Sequence, residues 1–373
     1  MAARIMIQVG QASLELEDLG TAMNAEFVSL YRQAFGAIDW ARHGQAALLY
    51  FDQHSGFADH DAYFNNLTIL WDGLMGEEKF TEAEHFWHER IGVSLQWEIA
   101  HRPARIHKGT PFYFLGVTHI LSGNLERGFL AMHRALDKDV RTHSTPTPDT
   151  PAYAFVTLDS AEANQFFRPW VLGLAQYVEQ EIQDFNKASN TPLTLTQVRN
   201  LFLANPVLRE EAFYFVSSVA HAREYETGPL RVEAESEFGE MLESRLLFDL
   251  CLVCDRFIGK KVPTAVRKFI DRVQEIAVRM QPGHNLKEDL IALNRKAQAS
   301  GGLDPVVRQV LQGRGVCIHG RALSDREVDL ALAYLFRNHG AHVLAATPVV
   351  HERFAGLVQR ILNALFQSVR TFP

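Results

Sequence analysis

The chain has 373 residues, of which 47% are hydrophobic and 22% are charged, and its formal net charge at pH 7 is −7. This length and apolar content predict two or more domains with well-packed cores. The sequence contains no run of 18 apolar residues, so no transmembrane helix is expected. The acidic net charge argues against a surface that binds nucleic acid over its whole extent.

The compartment is predicted from the first residues and from the cysteines. Residues Met1 to Ile7 lack the basic and then apolar pattern of a signal peptide. Cys251, Cys254 and Cys317 are the only cysteines, and an odd number does not fit a disulfide framework. We therefore expect a chain of the reducing cytoplasm that has no membrane contact. Because Cys251-x-x-Cys254 lies in an apolar helical pattern, its thiols are predicted to pack in a core rather than bind zinc.

The first 144 residues are predicted to form a helical domain. Residues 1 to about 58 have mostly helical patterns, although Ile5-Met6-Ile7 is also compatible with a short strand. Two helix–turn–helix pairs are predicted between Tyr63 and Val140. The second pair places Leu115-Gly116, Gly123, Gly128, Ala135 and Leu136 at positions typical of tetratricopeptide repeats. The region therefore resembles degenerate repeats of that kind, with an insertion around His101–Lys108, and an ordinary α-bundle is the alternative.

Two further sets of residues in this region are expected to be structural. Trp71, Trp87 and Trp97 are predicted to lie in the core of the helix pairs. His85-x-x-His88 lies beside Glu84 and Glu89 and lacks the His-Glu-x-x-His pattern of zinc proteases. These histidines are therefore predicted to lie on a solvated helix face.

A break follows at Thr145–Pro151, where three prolines in seven residues forbid a helix. Residues 145–228 are predicted to form this linker and a helical connector. The helices predicted in the connector are Ala161–Phe185, Gln197–Leu203, which follows a Thr194-x-x-Gln197 cap, and Pro206–Glu224. Gly228-Pro229 begins the last domain, 229–373. Its helical patterns are Ser236–Ile258, Pro263–Met280, Leu286–Ala299, Pro305–Leu311, a helix from Ser324, and Val349–Val369. Short connections between amphipathic helices predict an antiparallel bundle and an all-α chain.

A polar cluster lies at the end of the helix that begins at Ser324. Ser324 and Glu327 form a capping box at its start. Val328, Leu332, Leu335 and Phe336 recur at helical spacing and predict a core-facing side. Gly340 weakens the helix at its other end. Arg337, Asn338, His339 and His342 are therefore held at the end of a packed helix.

This cluster resembles a known signature. Arg followed five positions later by His occurs as Arg102/His107, Arg279/His284, Arg314/His319 and Arg337/His342, and of these only Arg337 is followed by Asn. Arg337-Asn338-x-x-x-His342 is similar to the motif of HEPN domains, which are small helical bundles. The resemblance covers roughly the last 140 residues. It implies a metal-independent endoribonuclease without a cofactor, in which two copies of the chain meet as a homodimer and form one composite site.

The resemblance assigns a role to each residue of the motif. His342 would take the proton of a ribose 2′-hydroxyl, and Arg337 would hold the phosphate. Asn338 would position the histidine or a phosphate oxygen. On an ideal helix Arg337 points well away from His342, so convergence needs either a break at Gly340 or the partner copy. Leu344 occupies the place of a tyrosine that is modified in a toxin subclass, so that mode of control does not carry over.

Two functions follow as alternatives. The first is an RNA-cleaving enzyme of phage defence or stress response, whose N-terminal repeats sense a protein or small-molecule trigger. The second is a non-catalytic scaffold whose HEPN-like bundle dimerises or binds nucleotide or protein, with Arg337–His342 as an ordinary polar helix end. From Pro229 onward the chain has 20 Lys and Arg against 16 Asp and Glu, while the preceding part has 17 against 28. This asymmetry fits a regulator joined to a module that handles a polyanion.

Overall fold

The computed structural model describes residues 4–9, 12–33, 39–54, 61–143, 150–189, 192–228, 237–281, 285–312, 322–340 and 347–372. α-Helix dominates these residues, and their only sheet is one two-stranded hairpin, so the predicted all-α class is confirmed. None of the described helices has both the length and the apolar character that crossing a bilayer requires. The chain divides into two compact units, Met1–Phe155 with Ala161–Pro169, and Val156–Ser160 with Trp170–Pro373.

The first unit begins with a hairpin that the sequence analysis predicted wrongly as mostly helix. Ile5 pairs with Leu16 and Ile7 pairs with Leu14, so four aliphatic side chains share one face. Met6 lies on the other face and is 63% exposed. This alternation has the period of a strand, and it outweighs helical propensity here. The elements of this unit are β1 Arg4–Val9, β2 Ala12–Glu17, α1 Thr21–Gln33, α2 Trp40–Gln53, α3 Asp61–Gly76, α4 Phe80–Ala100, α5 Gly109–Leu121, α6 Leu125–His143 and α7 Pro151–Val156, whose last residue belongs to the second unit.

Helices α3 to α6 occupy the region predicted as two helix–turn–helix pairs. A Cβ atom on Gly116 of α5 would lie 3.0 Å from the carbonyl oxygen of Gly128 on α6. The two glycines therefore permit the close approach of α5 and α6 that was expected from their positions. Gly123 has a φ of +85° in the turn between these helices, a conformation that favours glycine. All three tryptophans predicted in the core are buried, namely Trp71, Trp87 and Trp97.

The second unit is a helical bundle. The predicted capping box of Thr194 and Gln197 is present in full. The helix predicted from Pro263 begins only at Phe269, because Lys268 has extended backbone angles. The elements of this unit are α8 Arg168–Ser189, whose first two residues belong to the first unit, α9 Leu195–Val198, a π-helical turn Arg199–Leu203, a 3₁₀ turn Pro206–Leu208, α10 Arg209–Thr227, α11 Glu237–Lys261, α12 Phe269–Met280, α13 Leu286–Ala299, α14 Asp304–Leu311, α15 Asp325–Gly340 and α16 Pro348–Thr371.

Helix α15 is the centre of this bundle. It packs against α11, α13, α14 and α16, and every residue from Glu327 to Phe336 is buried. A helix that is buried on all sides can meet solvent only at its ends. The backbone N–H of Ser324 donates to the Glu327 carboxylate over 2.7 Å, so the predicted start of the helix is confirmed. The predicted core positions of α15 and α16 are also buried, namely Val328, Leu332, Leu335, Phe336, Phe354, Leu357, Ile361, Leu365 and Phe366.

The predicted core thiols are confirmed as well. Cys251 and Cys254 are free and fully buried on α11. Burial raises the pKa of Cys254 to about 12, so its thiol is protonated at neutral pH. The Sγ atom of Cys254 lies 3.8 Å from the hydroxyl of Ser368 on α16. Both cysteines therefore act as small apolar residues between α11 and its neighbours.

A partly buried carboxyl group on α8 gives the second unit a pH-dependent stability. The Oε2 atom of Glu181 is buried and has no hydrogen-bond partner. Burial, reinforced by the neighbouring Glu226 and Asp184 carboxylates, raises the pKa of Glu181 to about 7. Since the pKa of Glu181 is higher in the folded chain than in the unfolded chain, ionisation of Glu181 opposes folding. Its cost is absent at acid pH and grows as the pH rises through the interval from about 4.5 to about 7.

We predict that Glu181→Gln stabilises the chain at pH 8 by about 1–2 kcal/mol, because the amide never ionises. At pH 5, where the wild-type carboxyl group is already protonated in the folded state, the change should be small. Urea unfolding at the two pH values measures the difference. Glu179→Gln on the exposed face of the same helix is the matched control and should show no such pH dependence. An equal effect of Glu181→Gln at both pH values would contradict this account.

Candidate functional site

The open end of α15 carries the residues that the sequence analysis singled out. Arg337, Asn338 and His339 form its last turn, where burial changes from complete to partial. The helix ends at Gly340, the residue predicted to weaken it. His342, the third residue of the motif, lies outside the described residues. The structure therefore places Arg337 and Asn338 at a solvent-accessible helix end of the second unit.

Arg337 is held by a buried carboxylate on α11. Its Nε atom donates to Oδ2 of Asp255 over 2.9 Å. Asp255 is 4% exposed, whereas the Arg337 side chain is 33% exposed. The Arg337 guanidinium also lies 6.0 Å from the centre of the Phe269 ring at the start of α12. The Nε edge of the guanidinium group is thus fixed, and the side chain as a whole stays partly exposed.

A second guanidinium group shares the same carboxylate. Nη1 of Arg272 on α12 contacts Oδ1 of Asp255 at 2.5 Å and also donates to the backbone oxygen of Asp255 over 3.1 Å. Its Nε donates to the backbone oxygen of Val266 over 3.3 Å. The three charged groups of Asp255, Arg272 and Arg337 carry a net charge of +1. The buried Asp255 carboxylate accepts hydrogen bonds from two arginines, and their positive charges offset the free-energy cost of burying its negative charge.

Asn338 points toward a different neighbour from that of Arg337. Its Nδ2 atom donates to Oδ1 of Asn294 on α13 over 2.9 Å. The structure therefore brings Arg337 to α11 and α12, and Asn338 to α13, rather than joining the two side chains directly. Arg314, Cys317 and His319 lie outside the described residues.

Positive charge is concentrated beside Arg337. Residues 256–272, at the end of α11, the following connection and the start of α12, contain six Lys and Arg and a single acidic residue. Lys260, Arg267 and Lys268 are exposed. Arg256 pairs with Glu211 over 3.1 Å. We call residues 256–272 the cationic segment. Its exposed cations, like Arg337, are groups that can bind a polyanion.

Three features of this site were not found from the sequence. Asp255 was not recognised, although a carboxylate directly after a buried apolar helical pattern is a signal that it needs a partner. Arg272 and Asn294 carry no local signal, because their partners belong to other helices. The cationic segment is visible in the sequence as a run of Lys and Arg. It was not singled out, because only the total charge from Pro229 onward was considered.

We predict that Asp255→Asn lowers the free energy of unfolding by about 2–4 kcal/mol, because Arg272 and Arg337 lose their common counter-charge. Chemical denaturation at neutral pH measures the loss. Asp271→Asn, which breaks the ion pair with Lys287 between two half-exposed side chains, is the matched control and should cost less than about 1 kcal/mol. Equal costs for the two variants would show that Asp255 is not the centre of the cluster.

The arrangement offers cations and an amide at one accessible helix end, with a cationic segment beside them. Arginine suits this setting because its planar group can pair with a carboxylate on one edge and a phosphate on the other. Comparison of the chain with known protein families, with curated proteins and with solved structures found no match in any of the three.

Proposed function

We propose that the chain is a metal-independent endoribonuclease of HEPN type, with Arg337, Asn338 and His342 in its active site. The observation that carries this proposal is the position of Arg337, at the exposed end of a helix that is otherwise buried. Asp255 fixes the guanidinium group through Nε, which leaves Nη1 and Nη2 for a phosphate. The cationic segment next to it would bind the neighbouring phosphates of an RNA strand. The tetratricopeptide-like helices of the first unit would sense a trigger, in phage defence or stress.

The chemistry requires one base and one cation. His342 takes the proton of the 2′-hydroxyl, and the 2′-oxygen attacks the adjacent phosphorus. The bond from phosphorus to the 5′-oxygen breaks, and that oxygen receives a proton from the second imidazole of the dimer or from water. The products are a 2′,3′-cyclic phosphate end and a 5′-hydroxyl end. Arg337 stabilises the negative charge that develops on the non-bridging oxygens.

A non-catalytic scaffold is the second candidate, and one observation favours it. The Arg337–Asp255 ion pair lies within the chain, so it could serve only to fix the end of α15 to α11. In that case the bundle would dimerise or bind nucleotide or protein, and Arg337 would stabilise the fold. Arg337→Lys keeps the positive charge next to Asp255 and separates the two candidates. It abolishes RNA cleavage if the chain is an enzyme, whereas a scaffold has no RNA cleavage to lose.

We predict that the purified chain cleaves total RNA in the presence of a chelator. Arg337→Lys and His342→Ala should each lower the rate by about 100-fold or more, because one loses the paired donors and the other loses the base. End-group analysis should find cyclic phosphates. His85→Ala, which changes an exposed histidine of the first unit, is the control and should cleave at the wild-type rate.

Each outcome of this experiment decides between the candidates. Thermal melting first shows that the variants are folded. Equal cleavage by all four proteins would indicate a contaminant and overturn the proposal, as would a strict requirement for Mg²⁺. An inert wild type that still forms dimers would support the scaffold. Activity restored by mixing Arg337→Lys with His342→Ala would indicate that the site is composed of two copies.

The cationic segment gives a separate prediction for binding. Lys260→Gln combined with Lys268→Gln should weaken the binding of single-stranded RNA and reduce the slope of log K against log salt by about 1.4, if each lysine contacts one phosphate. Fluorescence anisotropy at several salt concentrations measures both effects. Lys187→Gln, an exposed lysine that pairs with Asp184 on its own helix, is the control. A slope that is unchanged by the double substitution would remove the cationic segment from the RNA interface.

A further inference from the structure

Three metal-ligating side chains converge in the first unit, far along the chain from the motif of α15. Glu84 and His88 lie one turn apart on α4, and His119 lies on α5. Nε2 of His88 is 3.6 Å from Oε1 of Glu84, and Nδ1 of His119 is 3.7 Å from Oε2 of the same carboxylate. One ligand atom from each residue falls within a group that spans at most 4.8 Å. His88 was expected on a solvated face, and it is exposed, whereas no sequence pattern pointed to His119 beside it.

The state of His119 points to a ligand that the protein chain itself does not supply. Its side chain is only 3% exposed, and its Nδ1 atom is buried without a hydrogen-bond partner. Buried polar atoms almost always have a partner, so this nitrogen needs one. The carboxylate of Glu84 at 3.7 Å is too distant for a hydrogen bond. A cation between the two would satisfy both groups at once.

The chemistry of the three ligands favours zinc over other common cations. Two imidazoles and one carboxylate form a set that binds Zn²⁺ in tetrahedral geometry and leaves a fourth position open. Magnesium and calcium prefer oxygen ligands alone. With ligands at about 2.0 Å from zinc, neighbouring ligand atoms in a tetrahedron lie roughly 3.3 Å apart. The observed separations of 3.6 and 3.7 Å run to the two different oxygens of Glu84, and the ligand atoms span at most 4.8 Å, so binding requires a rotation of these side chains to reach this value.

One neighbouring charge has to move. Nη1 of Arg127 on α6 lies 3.5 Å from Oε1 of Glu84. The Arg127 side chain is 65% exposed, so it can turn into solvent when a cation takes its place. An exposed ion pair of this type contributes little stability, so replacing Arg127 by a metal ion at Glu84 loses little free energy.

We propose that Glu84, His88 and His119 bind one zinc ion that links α4 to α5, with its fourth coordination position facing solvent on the side of His88. This site is independent of the proposed ribonuclease activity, because its three ligands belong to the first unit. Zinc would act there as a ligand of the folded chain and stabilise the packing of the two helices.

The experiment uses the full chain without a histidine tag, freed of metal with a chelator and then dialysed. Titration with ZnCl₂ by calorimetry should give one ion per chain. Cobalt(II) added in place of zinc should produce the visible absorption bands of a tetrahedral complex. His88→Ala and Glu84→Gln should each weaken zinc binding by roughly 100-fold or more, since even the loss of an outer-sphere partner costs 10–100-fold. His85→Ala, an exposed histidine on the same helix, should bind as the wild type does.

His119→Ala tests the buried ligand, and circular dichroism shows whether this variant folds. If it does not fold, His88→Ala and Glu84→Gln, which change more accessible side chains, decide the question. A wild type that binds less than one zinc ion per chain would overturn the proposal. Zinc binding that survives in both His88→Ala and Glu84→Gln would overturn it as well, because the ion would then lie elsewhere.

Discussion

The second unit depends on the burial of the middle of α15, from Glu327 to Phe336. Because its residues from Glu327 to Phe336 are surrounded by other helices, the only part of its C-terminal half that can meet a ligand is the last turn. Asp255 stabilises this turn because its carboxylate accepts hydrogen bonds from Arg337 and Arg272 at the same time. A buried carboxylate without these partners would be costly, and the partners would repel each other without it. The packing of the other helices around α15 therefore buries its middle and leaves its charged last turn exposed.

The two units differ in the chemistry that they place near their surfaces. In the second unit the notable groups are cations, which concentrate around Arg337 and the cationic segment. In the first unit they are the imidazoles and the carboxylate between α4 and α5. The small residues Gly116 and Gly128 bring α5 close to α6, and α5 also packs against α4. The packing of α5 thus determines where His119 lies relative to Glu84.

Much of the fold was predictable because it follows from short-range patterns. The core faces of α15 and α16, the caps at Thr194 and Ser324 and the burial of Cys251 all depend on residues within a few positions of one another. The β1–β2 hairpin was missed because each of its two strands has only six residues, which is a short run for a period-two pattern. The late start of α12 was missed because the residues before Phe269 have no strong helix-breaking signal apart from Pro263.

The sequence by itself determined the all-α class, the helical core faces and the place of Arg337 and Asn338 at a helix end. Only the tertiary structure decided which groups these side chains meet. Arg337 and Asp255 are 82 positions apart, and His119 reaches Glu84 from another helix. The physical reason is that periodicity records which side of a helix is apolar, whereas it contains no information on which helix packs against that side. Contacts between charged groups follow from that packing alone.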